Sequence, residues 1–175
     1  MVRYEASTNI MDNKGCFPLH LGAFNGHADI CKILLTQGPS IAKVNEQNHE
    51  GDTPLHYACQ FGHTAVVNIL LQHTADATIR NLKGEAPLDL ASQYGRTDTV
   101  QMLLMKNPSL LNNSTRESCP LHLAARHGHL QIVQLLLDSG IDINVKTEKG
   151  SALQEAAFFG RTDVVQLLLQ RGETI

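Results

Sequence analysis

Thr53-Pro54-Leu55-His56-Tyr57-Ala58-Cys59-Gln60-Phe61-Gly62-His63-Thr64 is the stretch on which the fold turns. Thr53 is a good helix N-cap, and Pro54 suits the first helical position because its missing N–H would be orphaned there anyway. Leu55, Ala58 and Cys59 fall on one side of a short helix, where small residues let a neighbouring helix approach. Gly62 suits the left-handed position that ends a helix. His63-Thr64 opens a second helix, and Val66, Val67, Ile69, Leu70 and Leu71 supply its apolar stripe at helical spacing. A loop from Thr74 to Asn81 leads out to a hairpin around Lys83-Gly84.

The phrase recurs. Pro18-Leu19-His20, Pro54-Leu55-His56, Pro87-Leu88-Asp89, Pro120-Leu121-His122 and Ala152-Leu153-Gln154 stand at steps of 36, 33, 33 and 32 residues, measured from 20, 56, 89, 122 and 154. Gly26, Gly62, Gly95, Gly128 and Gly160 repeat the same steps. A period near 33 identifies one supersecondary unit copied along a solenoid, in which each unit buries its apolar face against its neighbours. Second-helix stripes are expected at Ile30-Ile33-Leu34, Val100-Leu103-Leu104, Ile132-Val133-Leu136 and Val164-Val165-Leu168. The extra residues of the first interval fall between Gly38 and Glu50, and such loop changes cost little. Phe17, Ala86 and Cys119 occupy the N-cap slot without a capping side chain, a loss of about 1 kcal/mol each. Gly22 lies inside a short helix, and Gln154 holds the histidine slot.

Phrase, glycine and Leu run recurring together five times resemble the ankyrin repeat. The resemblance implies an all-α solenoid of stacked helix-turn-helix units with projecting hairpin loops, in repeats at about 12–47, 48–80, 81–113, 114–145 and 146–175. Met1 to Met11 reads as the tail of an upstream segment, and Glu173-Thr174-Ile175 as an end with no polar cap, so a fragment of a larger array is expected. Tyr4-Glu5-Ala6-Ser7-Thr8, Met11 to Cys16, Gly38-Pro39-Ser40, Val44 to Asn48 and Thr147 to Leu153 followed by Glu155-Ala156-Ala157 are similar to Odin-like adaptors, which join ankyrin repeats to SAM and phosphotyrosine-binding domains. Caskin-like scaffolds share part of the last stretch. This likeness implies a cytoplasmic adaptor near receptor tyrosine kinase signalling and membrane traffic. Neither a SAM nor a phosphotyrosine-binding domain is present, so their receptor-binding role does not carry over.

Composition excludes several other functions. The 175 residues carry a formal net charge of −3, so no global positive field favours nucleic acid. No apolar stretch approaches the roughly 18 residues of a membrane span, and the N-terminus lacks the pattern of a signal peptide. Cys16, Cys31, Cys59 and Cys119 form no C-x-x-C pair and read as small buried residues of a reducing compartment. Asn112-Asn113-Ser114 and Asn113-Ser114-Thr115 fit the glycosylation pattern and read as plain loop. His20, His56 and His122 occupy a structural slot facing neighbouring hairpin backbone, while His27, His63 and His129 follow the helix-ending glycines. No helical H-x-x-x-H pair, phosphate loop or nucleophile elbow occurs. No metal, cofactor or catalytic residue is expected.

The chain is 5% aromatic, yet aromatics concentrate just before the helix-ending glycines. Phe24-Asn25, Gln60-Phe61, Gln93-Tyr94, Arg126-His127 and Phe158-Phe159, with Tyr57, form a file read as anchors for an extended or helical peptide. Packing between adjacent units is the competing role of these residues. Asn13, Lys14, His49, Glu50, Lys83, Glu85, Arg116, Glu117, Glu148 and Lys149 at the hairpin tips form a rim of mixed charge. Leu136, Asp142 and Asn144 resemble the spacing of ankyrin loops hydroxylated on asparagine, with a plain loop asparagine as the alternative. The expected function is a monomeric, non-enzymatic module that binds protein or peptide partners on its concave face. The alternative is a structural spacer, or a self-associating array driven by Val165, Leu168 and Leu169.

Overall fold

The computed structural model describes residues 6–172. Its α-helices come in pairs: α1 (Pro18–Phe24) with α2 (Ala28–Thr36), α3 (Pro54–Gln60) with α4 (Thr64–Gln72), α5 (Pro87–Gln93) with α6 (Thr97–Lys106), α7 (Pro120–Arg126) with α8 (Leu130–Asp138), and α9 (Ala152–Phe158) with α10 (Thr162–Gly172). The first helices stack in one layer, α1 on α3 on α5 on α7 on α9, and the second helices stack behind them. The solenoid expected from the repeat is therefore the fold. Residues 1–5 and 173–175, which carry the Tyr4-Glu5 likeness and the uncapped end, lie outside the described residues.

Gly26, Gly62, Gly95, Gly128 and Gly160 have φ between 69° and 75°, the left-handed conformation that turns each first helix into its partner. The outgoing loops end in fingers whose first residue folds them. Asp12 Oδ1 accepts from Lys14 and Cys16 N–H, Asn48 Oδ1 from Glu50 and Asp52 N–H, and Asn81 Oδ1 from Lys83 and Glu85 N–H. Neighbouring fingers are stitched by backbone: His49 N–H donates to the Lys14 carbonyl, Leu82 to Glu50, and Glu148 to Arg116. The last finger is a two-stranded hairpin, β1 (Lys146–Thr147) against β2 (Gly150–Ser151), with Thr147 opposite Gly150.

A continuous core runs through the stack. Leu55, Val66, Val67, Leu70, Leu103, Leu121, Ile132 and Leu136 are fully buried. All four cysteines are buried and free. Three expectations need correction. Ile30 and Ile33 are about half exposed, and Cys31 and Leu35 are the buried residues of α2, because no helix pair lies in front of α2 among the described residues. Leu168 is buried, leaving Leu169 as the exposed leucine of α10. Asn112, read as plain loop, closes a 3-10 helix (Pro108–Asn112) that seats Leu110 in the core.

The missing caps are partly replaced. Phe17 N–H donates to His20 Nδ1 at 3.1 Å and Ala86 N–H to Asp89 Oδ2 at 2.9 Å, so the third helical residue satisfies the cap backbone although the cap side chain cannot reciprocate. Thr53 does both, since its Oγ1 also accepts the His56 N–H at 3.4 Å. Gly22 has a packing reason: a Cβ there would lie 3.1 Å from Cys31 Sγ.

Candidate partner-binding site

The histidine slot is a tie between units. His20 Nε2 meets the Asp52 carbonyl at 2.8 Å, His56 Nε2 that of Glu85 at 3.0 Å, and His122 Nε2 that of Val145 at 2.8 Å. Nδ1 of His20 and of His56 accepts a cap N–H, so Nε2 must carry the proton and each of these rings is neutral. Burial holds all three below the usual histidine range, against the pull of nearby carboxylates and carbonyls. In the third unit Asp89 takes the slot. Its carboxylate accepts from Ala86 N–H and from Arg80 Nη1 at 3.0 Å, while Arg80 also reaches the Gly84 and Asn113 carbonyls. Burial pushes the Asp89 carboxyl up against those donors.

A second tie was not legible in the sequence. The residue after each helix-ending glycine reaches back to the end of the preceding first helix. His63 Nε2 meets the Phe24 carbonyl at 3.0 Å, Arg96 Nε that of Gln60 at 3.0 Å, His129 Nε2 that of Gln93 at 2.8 Å, and Arg161 Nε that of Arg126 at 2.8 Å. Histidine and arginine share this slot because each presents a ring-like N–H at similar reach. His63 and His129 are thereby structural.

With the histidines fixed in these ties, the front of the stack is left to other side chains. Phe24, Tyr57, Gln60, Phe61, Gln93 and Tyr94 line one groove of about 440 Å³ together with the second and third fingers. Phe24 packs edge-on against Tyr57 at 5.4 Å and against Phe61 at 4.7 Å between ring centroids. Tyr57 is also bound from below, its hydroxyl accepting from Asn48 Nδ2 at 2.8 Å beside Cys16 Sγ, and burial pushes the phenol above its ordinary range. These three rings therefore pack between units, while Phe24 and Tyr94 each keep 44% of their surface exposed to the groove. Glu50, Asp52, Lys83 and Glu85 supply the charge around it. Asp52 and Glu85 share the Asn81 Nδ2 donor. Leu82, missed in the sequence, stands 80% exposed at the finger tip above the groove. Its signal was an apolar residue where other fingers carry Asn13, His49 and Glu148.

Arg126, Phe158 and Phe159 line a separate hollow of about 340 Å³ with Lys149, Gln154 and Glu155. Arg126 is held by the nearly buried Glu155 through Nε at 3.1 Å and Nη2 at 2.9 Å, and its guanidinium lies 5.7 Å from the Phe159 ring centre. Asn25 is exposed and donates to the Leu21 carbonyl, and His127 is exposed 6.2 Å from the His129 ring, so neither joins the groove. Asn144 is exposed in the loop after α8, where its N–H donates to Asp142 Oδ1 at 2.9 Å.

Burial pushes the Cys31 thiol up to about 11 and those of Cys59 and Cys119 above the ordinary range, so these thiols are poor nucleophiles. Among the described residues no group of three His, Cys, Asp or Glu side chains could hold a metal ion, and no helix is long and apolar enough to cross a membrane.

Stacked helix pairs with a fingered front define a repeat solenoid of the protein-binding class. The chain belongs to the ankyrin-repeat family: a family model described as ankyrin repeats (3 copies) matches residues 40–113 and 88–175, and the single ankyrin repeat matches residues 14–49. Ankyrin repeats are in general protein–protein interaction modules.

Proposed function

We propose that this chain is a non-enzymatic protein-interaction module of a cytoplasmic adaptor or scaffold, and that it holds a protein or peptide partner in the groove between the first helices and the fingers. The observation that carries the proposal is the groove itself. Two half-exposed aromatic rings, Phe24 and Tyr94, and the exposed Leu82 converge on one concavity whose rim is charged. Aromatic anchors in a concave site with a polar rim are the usual energetic centre of a protein interface. The likeness to Odin-like adaptors supports partners in receptor tyrosine kinase signalling or traffic. The test is display selection of random peptides on the folded protein, followed by affinity measurement on Tyr94→Ala and Leu82→Ala. Selected peptides should lose at least tenfold in affinity on each variant. Binders that tolerate both substitutions would remove the groove from the function.

Asn144 is the proposed modification site, as an exposed loop asparagine at the spacing noted above. Intact mass of cell-expressed protein should carry one added oxygen, absent in Asn144→Ala. Equal masses after allowing for the substitution would refute it.

A further inference from the structure

We propose, resting on the groove reading, that the partner enters this groove with an arginine side chain set beside an apolar residue, so that the ligand is a cationic peptide. The groove belongs to the second and third units, each of which has a unit on either side, and only Phe24 reaches in from the first. Its charged lining is unbalanced. Three carboxylates, Glu50, Asp52 and Glu85, stand there against one lysine, Lys83, with His49 beside them. These carboxylates keep capacity to accept. Asp52 is 7% exposed, and its Oδ1 shares the Asn81 Nδ2 donor with Glu85 Oε2. Asp52 Oδ2 and Glu85 Oε1 have no hydrogen bond among the described residues. Gln93 lines the same groove, and its Oε1 is buried without a partner among the described residues. A buried acceptor left unpaired is costly, so it favours a ligand that brings a donor. Burial first, then the Cys16 thiol and the Asp52 and Glu50 charges, push the Tyr57 phenol up, so this floor already disfavours a further negative charge.

The same stack shows what such a lining takes where the chain supplies it. Two residues before its helix-ending glycine the fourth unit carries Arg126, whose Nε and Nη2 donate to the two oxygens of Glu155 and whose guanidinium lies 5.7 Å from the Phe159 ring centre. The second and third units carry Gln60 and Gln93 at that place, and neither brings a cation. There the carboxylates come from the fingers, and the half-exposed rings, Phe24 and Tyr94, from the ends of the first helices. A guanidinium suits this pairing better than an ammonium. Its flat face stacks on a ring while its edge donates to carboxylate and amide oxygens. Its methylene stem and the adjoining apolar side chain of the peptide cover Tyr94 and the exposed Leu82. An acidic or phosphorylated peptide would instead bring its charge against three carboxylates.

Random peptides selected on the folded parent chain supply the probe. They should carry an arginine next to an apolar residue more often than the starting library does. Replacing that arginine by citrulline, which keeps the shape and loses the charge, should weaken binding about tenfold, with lysine falling in between. Glu50→Gln with Glu85→Gln should weaken the arginine peptide by a similar factor and leave the citrulline peptide unchanged. Glu50→Gln alone, on an exposed finger, carries the test if the double variant fails to fold, and should cost the arginine peptide about threefold. Selected peptides that lack arginine or are rich in acid, a citrulline peptide that binds like its parent, or folded glutamine variants that hold the arginine peptide unchanged overturn the cationic partner. The groove reading survives those results as long as Tyr94→Ala still weakens binding. Peptides indifferent to both Tyr94→Ala and Leu82→Ala overturn the groove reading and the cationic partner together.

Discussion

Lowering the pH from about 7.5 to about 5.5 should destabilise the fold by up to about 4 kcal/mol, and the buried histidine ties set the size of the effect. His20, His56 and His122 are 0%, 0% and 2% exposed, and burial holds each below the ordinary 6.5. The unfolded chain takes up these protons near 6.5, while the folded chain takes them up only at lower pH. Stability is therefore complete above about 6.5 and falls as pH drops below it, until the folded rings themselves protonate. One pH unit below the unfolded value is worth about 1.4 kcal/mol per ring, so three rings that stay neutral give a ceiling of about 4 kcal/mol. Nearby carboxylates pull each ring back up and keep the loss under that ceiling. Asp89 works in the opposite sense, since its raised carboxyl favours the folded state on acidification. Urea unfolding followed by circular dichroism at both pH values measures the difference. The control combines His20→Gln, His56→Gln and His122→Gln, because Gln154 holds the same slot and its Oε1 accepts the Ser151 N–H at 2.8 Å. The triple variant should be weaker at neutral pH and nearly flat between the two conditions. A parent chain with a flat profile, or a triple variant with the parent's slope, would refute the reasoning.

Three further outcomes follow from the joints. Gly95→Ala should lower stability by more than Gly160→Ala, since both meet a left-handed cost of about 1–2 kcal/mol but only Gly95 also meets His129, at 2.8 Å; equal losses in urea unfolding would deny the staple. Thr53→Ala should cost about 1 kcal/mol and Ala86→Thr should return a similar amount, because the backbone halves of both caps are already in place; paired thermal melts decide. Arg80→Ala should cost about 3–5 kcal/mol by leaving the buried Asp89 carboxylate short of a partner, and Arg80→Ala with Asp89→Asn should recover part of it.

Architecture was legible because it is written in period. Helix-ending glycines and Pro-Leu-His phrases must recur wherever the backbone takes the same turn, so residues such as Gly62 and His56 announce their roles. The stapling slot was not legible, since His63, Arg96, His129 and Arg161 differ in type and their acceptors are carbonyls, which leave no mark on the sequence. Ile30 and Ile33 misled for a related reason. Helical spacing tells which residues share a face, but not whether a neighbour covers it. The aromatic file was visible as a file, while its division was not. Phe24, Tyr57 and Phe61 interlock across a joint, Phe158 and Phe159 belong to another hollow, and Leu82 enters only because the finger folds over the helices.

Tyr94→Ala is the most direct test of the groove as the binding surface, because Tyr94 is half exposed and, unlike Phe61, is not interlocked with Phe24. Affinity for a selected peptide should fall at least tenfold while the urea midpoint stays within about 0.5 kcal/mol of the parent's, as for an ordinary surface change. Unchanged affinity in a folded Tyr94→Ala protein, for peptides competing for a single site, would contradict the groove as the place where this chain holds its partner.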